Sequence, residues 1–203
     1  MEGDTYLTID GPSLGLYKDK GSKFIALAWP VENEEQINEI LVSVKKEYHD
    51  ARHHCYAWIL GQTGEHYRMN DDGEPSGTAG KPIYGQLLSN GLSNVFVIVV
   101  RYFGGTKLGV RGLIDAYKGA TLDALQNANL VIRILHEYYQ IDFDYLAMND
   151  VMKIMKEFDL EQFDHKFDLK CNLKFKVRKS LSRQIIESLD LIQEISVTKI
   201  AED

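Results

Sequence analysis

The chain has 203 residues, 44% hydrophobic and 26% charged, which is ordinary for a globular protein. Its net charge of −7 argues against a generic nucleic-acid coat, because affinity for phosphates scales with the cations supplied, but it allows a local basic patch. Cys55 and Cys171 are too far apart in the sequence to match the spacing of a metal-binding motif. The N-terminus lacks the pattern of a signal peptide, and no apolar run is nearly as long as a membrane-spanning helix. We therefore expect a reduced, cytoplasmic protein with no membrane contact.

The first part of the chain is predicted to form strands and one amphipathic helix. Short apolar segments predict strands at 6–9, 15–18, 24–29, 56–60 and 66–69. Asn33 is a good N-cap for a helix whose apolar face runs from Ile37 to Tyr48. The last two strands are predicted to form a hairpin around a turn at residues 61–64.

A cluster of histidines and a cysteine precedes that hairpin. Thiol and imidazole suit zinc, and His49 and His53 would share a helical face. Strand-like residues follow, however, so the helix is predicted to end before His53. Alternation then places His53 and Cys55 on one side of a strand and His54 on the other. The pattern favours neither zinc nor a Cys–His nucleophile pair and leaves open whether the cluster is functional or structural.

The segment 70–128 is the one around which the rest of the chain is organised. An acidic turn at 71–77 leads into a short helical pattern at 78–91, and Val95–Val100 predicts a strand buried on both faces. A glycine-rich turn then opens a helix at 113–126. The segment matches neither the phosphate-binding loop, since Pro82 follows Gly80-Lys81, nor the dinucleotide fingerprint.

This layout predicts an anion site. Glycines allow a ligand to approach the backbone, and free N–H groups and the helix dipole favour an anion at a helix N-terminus. The predicted anion or RNA contacts are Arg101, Gly104, Gly105, Lys107 and Arg111. If the fold brings this turn to the acidic turn, the result is a polar groove of mixed charge.

The acidic turn allows two further hypotheses. Asp71, Asp72 and Glu74 are candidate magnesium ligands, although a tight turn in which Asp side chains bond their own backbone explains them as well. His54, Asp72 and Glu74 are candidate acid/base groups, with Ser76 as a nearby hydroxyl. No spacing here specifies a reaction class, no cofactor is predicted, and the pattern favours a binding protein over an enzyme.

After Ala128 the pattern restarts as β-α-β-β-α-β, which predicts a ferredoxin-like domain. One strand carries cations on the side opposite its apolar residues, namely Lys170, Lys174, Lys176 and Arg178. An open, basic sheet face predicts RNA contact, although lysines also protect strand edges from unwanted pairing.

Three motifs carry a resemblance to a known family: DARHHCYAW at 50–58, DDGEPSGTAG at 71–80 and RYFGGTKLG at 101–109. The sequence resembles the YigZ/IMPACT family in its bacterial branch. That resemblance implies an α+β protein with two domains. Residues 1–132 would form a ribosomal protein S5 domain 2-like α/β sandwich, and residues 133–203 a ferredoxin-like domain similar to a terminal domain of a translation elongation factor.

The resemblance also implies a role around translation. Eukaryotic members bind a ribosome-associated activator of the amino-acid-starvation kinase and carry an extra N-terminal domain that this sequence lacks. We therefore expect a regulatory or binding protein with RNA, the ribosome or a protein of translation control as its partner. The alternatives are a hydrolase acting on a small phosphorylated or peptide substrate through the Asp71, Asp72 and Glu74 groove, and a module that binds proteins only.

Overall fold

The computed structural model describes residues 4–61 and 64–201, so the two central residues of the predicted hairpin turn, Gln62 and Thr63, lie outside these ranges. The chain is an α+β protein that divides into two compact units. One unit is Tyr6–Arg133, and the other contains Asp4 and Thr5 together with the chain from Ile134 onward. Among the described residues, no helix combines the length and the apolar character needed to cross a membrane.

The unit Tyr6–Arg133 is built on a five-stranded antiparallel sheet of order β2-β3-β6-β4-β5. Its strands are β2 (Ser13–Asp19), β3 (Ser22–Pro30), β4 (His53–Leu60), β5 (His66–Asn70) and β6 (Val95–Tyr102). Its helices are α1 (Glu34–Glu47), α2 (Gly80–Ser89) and α3 (Gly109–Gln126). A separate two-stranded sheet pairs β1 (Thr5–Ile9) with β7 (Leu130–Ile134).

The central strand β6 is buried on both faces, as its uninterrupted apolar sequence predicts. Val95, Val97 and Val99 pack in one core with residues of α2 and α3. Their even-numbered neighbours pack in a second core with residues of α1. Because side chains alternate along a strand, Arg101 continues the row that faces α3.

The other unit follows the order β-α-β-β-α-β, with an antiparallel sheet of order β11-β8-β10-β9. Its elements are β8 (His136–Asp144), α4 (Met148–Glu157), β9 (Glu161–Lys166), β10 (Lys170–Arg178), α5 (Lys179–Leu189) and β11 (Ile195–Ile200). One turn of 3-10 helix, Tyr145–Ala147, precedes α4. The alternating residues Cys171, Leu173, Phe175 and Val177 of β10 face this unit's core.

Two elements differ from the prediction. Leu130–Ile134, for which the sequence analysis predicted no strand, forms β7, and local sequence could not show this because its partner β1 is remote in the chain. Helix α3 begins at Gly109 rather than at residue 113, so part of the glycine-rich stretch is helical. The helix α1 has the predicted cap, with the Asn33 side chain accepting from the backbone N–H of Gln36 at 2.9 Å.

We expect Gly15→Ala to destabilise the fold. A Cβ at Gly15 would lie 2.2 Å from the backbone N of Ala124 and 2.7 Å from the carbonyl O of Ala120, so strand β2 would have to move away from α3. Overpacking of this kind costs about 1–3 kcal/mol. Urea denaturation measures the loss.

Gly85→Ala is the matched control. Gly85 lies within helix α2, and an added Cβ there would have no neighbouring atom within 4 Å. That change is expected to raise the free energy of unfolding by about 0.5–1 kcal/mol. Equal effects at the two glycines would contradict the packing of β2 on α3.

Candidate functional site

The acidic turn and the strand β6 meet through a buried ion pair. Arg101 Nη1 donates to Glu74 Oε1 at 2.5 Å, and the two residues are only 7% and 9% exposed. The Arg101 guanidinium carbon lies 5.4 Å from the ring centroid of Phe24 and 5.6 Å from that of Phe103. Arg101 Nε is buried without a hydrogen-bond partner among the described atoms. The acidic turn and the end of β6 therefore come together, but Arg101 is engaged internally rather than presented to an outside anion.

Tyr117 of α3 and Cys55 of β4 extend this ion pair into a buried polar cluster. Tyr117 donates its hydroxyl proton to Glu74 Oε1 at 2.9 Å. Cys55 Sγ lies 3.2 Å from that hydroxyl and 2.9 Å from the carbonyl oxygen of Asp71. Burial raises the pKa of the Cys55 thiol, and burial likewise raises the pKa of Tyr117. A thiol held protonated in this way is not a nucleophile.

Asp71 caps helix α2 from a distance. Its Oδ1 accepts from the backbone N–H groups of Ala79 at 3.0 Å and Gly80 at 2.8 Å, and its Oδ2 accepts from Gly77 at 2.8 Å. The N–H groups of Ala79 and Gly80 stand at the positive end of the helix, where a carboxylate is most stabilising. Residue 79 is an alanine and has no side-chain acceptor of its own, so the cap comes from the preceding turn.

Asp72 fixes the start of β4. Its Oδ2 accepts from the backbone N–H of His54 at 2.7 Å, and its carbonyl oxygen lies 2.9 Å from His53 Nδ1. His54 Nε2 lies 3.1 Å from the carbonyl oxygen of Tyr48, which can only accept, so that nitrogen carries the proton. As predicted from the alternation, His53 and Cys55 lie on one side of the strand and the buried His54 on the other.

The candidate metal ligands and acid/base groups thus have internal partners. Each carboxylate of Asp71, Asp72 and Glu74 holds a different element, and the described part of the chain contains no group of three acidic, His or Cys side chains placed to hold a metal ion. His54 points away from the Glu74 side of the sheet, while Ser76 is exposed on the turn. The hydrolase role of these residues stays a prediction that this geometry does not favour.

The glycine-rich turn after β6 rests on the hairpin between β2 and β3. A Cβ at Gly104 would lie 1.9 Å from the carbonyl carbon of Gly21, and the Gly104 N–H donates to Ser22 Oγ at 3.1 Å. Gly104 is therefore required by contact between two backbones. Gly105 has a φ of 87° and open space around its α-carbon, so it alone of the two leaves room for a ligand.

This contact brings two cationic turns side by side. We call them the cationic edge, formed by Lys18, Lys20, Lys23, Lys107 and Arg111. All five side chains are exposed, and none forms an ion pair with another described residue. Phe103, 55% exposed, lies on the same turn as Lys107. No local pattern in the sequence links the three hairpin lysines to the second turn, because only the Gly21–Gly104 contact brings the two turns together.

The basic strand of the other unit is largely neutralised. Lys174 Nζ lies 3.3 Å from Asp164 Oδ2, and Lys176 Nζ lies 2.8 Å from Glu161 Oε2. Arg178 pairs with Asp4, through Nη2 at 3.0 Å from Oδ1. Lys170 is exposed at the end of the strand. These predicted RNA contacts share the sheet with carboxylates and present less net positive charge than their sequence suggested.

A model of the Impact N-terminal domain matches residues 20–125, which include the ion pair and all of the cationic edge except Lys18. The chain belongs to the IMPACT family. It is 32% identical over 158 residues to the IMPACT family member YigZ of Escherichia coli (strain K12), covering 77% of this chain and 78% of that protein.

Two solved structures resemble the chain to different extents. A crystal structure described as that of a hypothetical protein covers 99% of this chain and 100% of its own, at 27% identity and a TM-score of 0.73. A structure described as the two-domain translational regulator Yih1 covers 63% of this chain and 48% of its own, at 26% identity. Its TM-score is 0.36, too low for the superposition to support an inference about this IMPACT member.

We expect Glu74→Ala to lower the free energy of unfolding by about 3–5 kcal/mol, because it leaves the Arg101 guanidinium buried and unpaired. The double change Glu74→Leu with Arg101→Met should recover most of this loss, since it removes both charges. Chemical denaturation provides both values.

The matched control is Glu187→Ala, which breaks the exposed Arg183–Glu187 pair within α5. Exposed pairs of this kind contribute about 0.3–0.5 kcal/mol. A Glu74→Ala variant as stable as the Glu187→Ala variant would contradict the buried pair.

The Cys55 thiol predicts a loss of stability in alkali. Its pKa is raised in the folded chain, so above its ordinary value of 9.0 the unfolded chain loses this proton while the folded chain keeps it. Stability is therefore intact below pH 9 and falls above it, by about 1.4 kcal/mol at pH 10 for this group. We expect the free energy of unfolding, measured by denaturation, to fall between pH 7 and pH 10 in both proteins, and to fall by about 1.4 kcal/mol less in Cys55→Ala than in the unchanged chain. An equal loss in both proteins would show that the thiol ionises alike in both states.

Proposed function

We propose that this chain is a binding protein of the translation machinery that holds RNA phosphates on its cationic edge. The single observation that carries the proposal is the backbone contact between Gly21 and Gly104, which places two cationic turns next to each other. Phosphate contacts from lysine and arginine supply most sequence-independent affinity for RNA. The exposed ring of Phe103 adds a surface on which a base can stack.

The arrangement of two of these lysines supports an anionic ligand. Lys18 and Lys23 are direct partners across the β2–β3 ladder. Like charges directly opposite each other destabilise a strand pair. A phosphate near both ammonium groups would relieve this repulsion, so its binding is more favourable here than beside a lone lysine.

The start of α3 supports the same ligand. The helix has 18 residues, its N-cap position is Leu108, and its first turn contains no acidic residue. Leu108 supplies no side-chain cap, and Lys107 and Arg111 flank the first N–H groups of the helix. An anion here would be stabilised by the helix dipole as well as by both cations.

Membership in the IMPACT family gives the proposal its biological context, which is regulation of translation with RNA or the ribosome as the partner. The basic strand with Lys170, Lys174, Lys176 and Arg178 is a secondary surface in this proposal, because three of its four cations already have carboxylate partners. Within the described part of the unit Tyr6–Arg133, no observation favours the hydrolase or the protein-only module over RNA binding.

We also infer the domain types. The sheet order β11-β8-β10-β9 and the chain order β-α-β-β-α-β support a ferredoxin-like domain for residues 133–203, similar to a terminal domain of an elongation factor. The antiparallel sheet with α1 on one face and α2 and α3 on the other supports a ribosomal protein S5 domain 2-like sandwich for residues 1–132.

We expect the chain to bind single-stranded RNA of mixed sequence, with an affinity that falls as salt rises. Lys20→Gln with Lys107→Gln should weaken binding and make the slope of log K against log salt shallower by about 1.4, since each lost contact with a single strand contributes about 0.7. Fluorescence anisotropy over a salt series measures both effects.

Lys46→Gln with Lys156→Gln is the matched control, because it removes the same charge at exposed positions outside the cationic edge. Its salt slope should equal that of the unchanged chain. Absence of binding at low salt, or equal losses in the two double variants, would refute the proposed surface.

A further inference from the structure

A second surface, in the unit that contains Ile134–Ile200, has the opposite charge. A groove of about 660 Å³ runs between α4 and the turn from α5 to β11. Its apolar lining includes Ala147, Ile154 and Ile192, which also pack against the core of this unit. Part of the groove's lining therefore belongs to the packed core of this unit, and the groove's volume lies within the range of ligand-binding sites.

Two leucines with almost fully exposed side chains border this groove. Leu146 is 92% exposed and Leu191 is 85% exposed, and both line the groove. Scattered exposed leucines are normal, but two nearly fully exposed leucines beside one groove add apolar surface to a lining that is mostly polar, a combination that marks interaction sites.

The rim of the groove is acidic. Asp144, Asp150, Glu157 and Glu194 line it, and Lys153 is the one cation among its lining residues. The ion pairs of the described residues involve none of these four carboxylates. Asp150, Ile154 and Glu157 are spaced by four and three residues along α4, so two carboxylates and an apolar side chain share one helix face.

We propose that this groove docks a basic, amphipathic segment of a partner protein. The apolar side chains of that segment would cover Leu146 and Leu191, while its lysines or arginines would meet the carboxylate rim. Burial of the leucines provides affinity, and the complementary charge provides orientation and a faster encounter. The same carboxylates repel phosphate, so the groove takes protein and not RNA. This inference is independent of the RNA contact proposed for the cationic edge, which uses residues of the other unit.

A synthetic peptide tests the proposal on the full chain. The probe is an amphipathic helix of leucine and lysine, roughly 14 residues or four turns long, with a fluorescent label. We expect it to bind, and we expect two control peptides to bind far more weakly. In one control serine replaces leucine, and in the other glutamate replaces lysine.

Variants of the chain locate the binding. Leu146→Ser with Leu191→Ser should weaken the peptide Kd on the order of tenfold or more, and both sites are so exposed that the core is untouched. Asp150→Asn with Glu157→Gln should weaken it on the order of fivefold at low salt. Thermal melting checks that each variant keeps its fold.

Two matched variants in the other unit complete the design. Glu35→Gln with Glu39→Gln changes the net charge equally on α1, and Leu88→Ser removes an exposed leucine of α2. Both should bind the peptide as the unchanged chain does. Unchanged binding by the groove variants, or equal weakening by the α1 variant, would overturn the proposal. Sedimentation showing a dimer that the leucine changes abolish would also overturn it, because the occupant would then be a second copy.

Discussion

The ion pair between Glu74 and Arg101 is the constraint on which the larger unit depends. Burying the Arg101 guanidinium at the end of this central strand costs free energy unless a carboxylate pairs with it. Glu74 can do so only if the turn before α2 lies against the end of β6, and Tyr117 of α3 then completes the carboxylate's hydrogen bonds. One interaction thus fixes the turn, the central strand and the helix relative to one another.

The residues that suggested chemistry in the sequence are therefore used to hold elements in place. Asp71 caps α2, Asp72 holds the start of β4, and Glu74 pairs with Arg101. A metal or a substrate would have to displace backbone N–H groups or a buried cation from these carboxylates. Binding is consequently easier to assign to exposed cations that have no ion-pair partner among the described residues, such as Lys107 and Arg111.

Local patterns in the sequence predicted local structure well. The Asn33 cap, the doubly buried Val95–Val100 strand and the β-α-β-β-α-β order of the second unit each follow from periodicity or short-range chemistry. Arg101 was predicted as an anion contact instead, although its place in the row of Val97 and Val99 is a signal that it points into the fold and needs a partner. The cap by Asp71 across up to nine residues and the Gly21–Gly104 contact depend on tertiary structure, so no local pattern shows them.

The net charge of −7 and a phosphate-binding surface are compatible because charge acts locally in salt. At physiological ionic strength the screening length is about 8 Å, so a phosphate on one turn responds mainly to its nearest side chains. Lys18 and Lys23 face each other directly across a strand pair, well within that length. The carboxylates on the rim of the acidic groove act over a similarly short range. Segregation of the two charges into separate surfaces would therefore let one acidic chain carry both of the sites that we propose, one for an anion and one for a cationic segment.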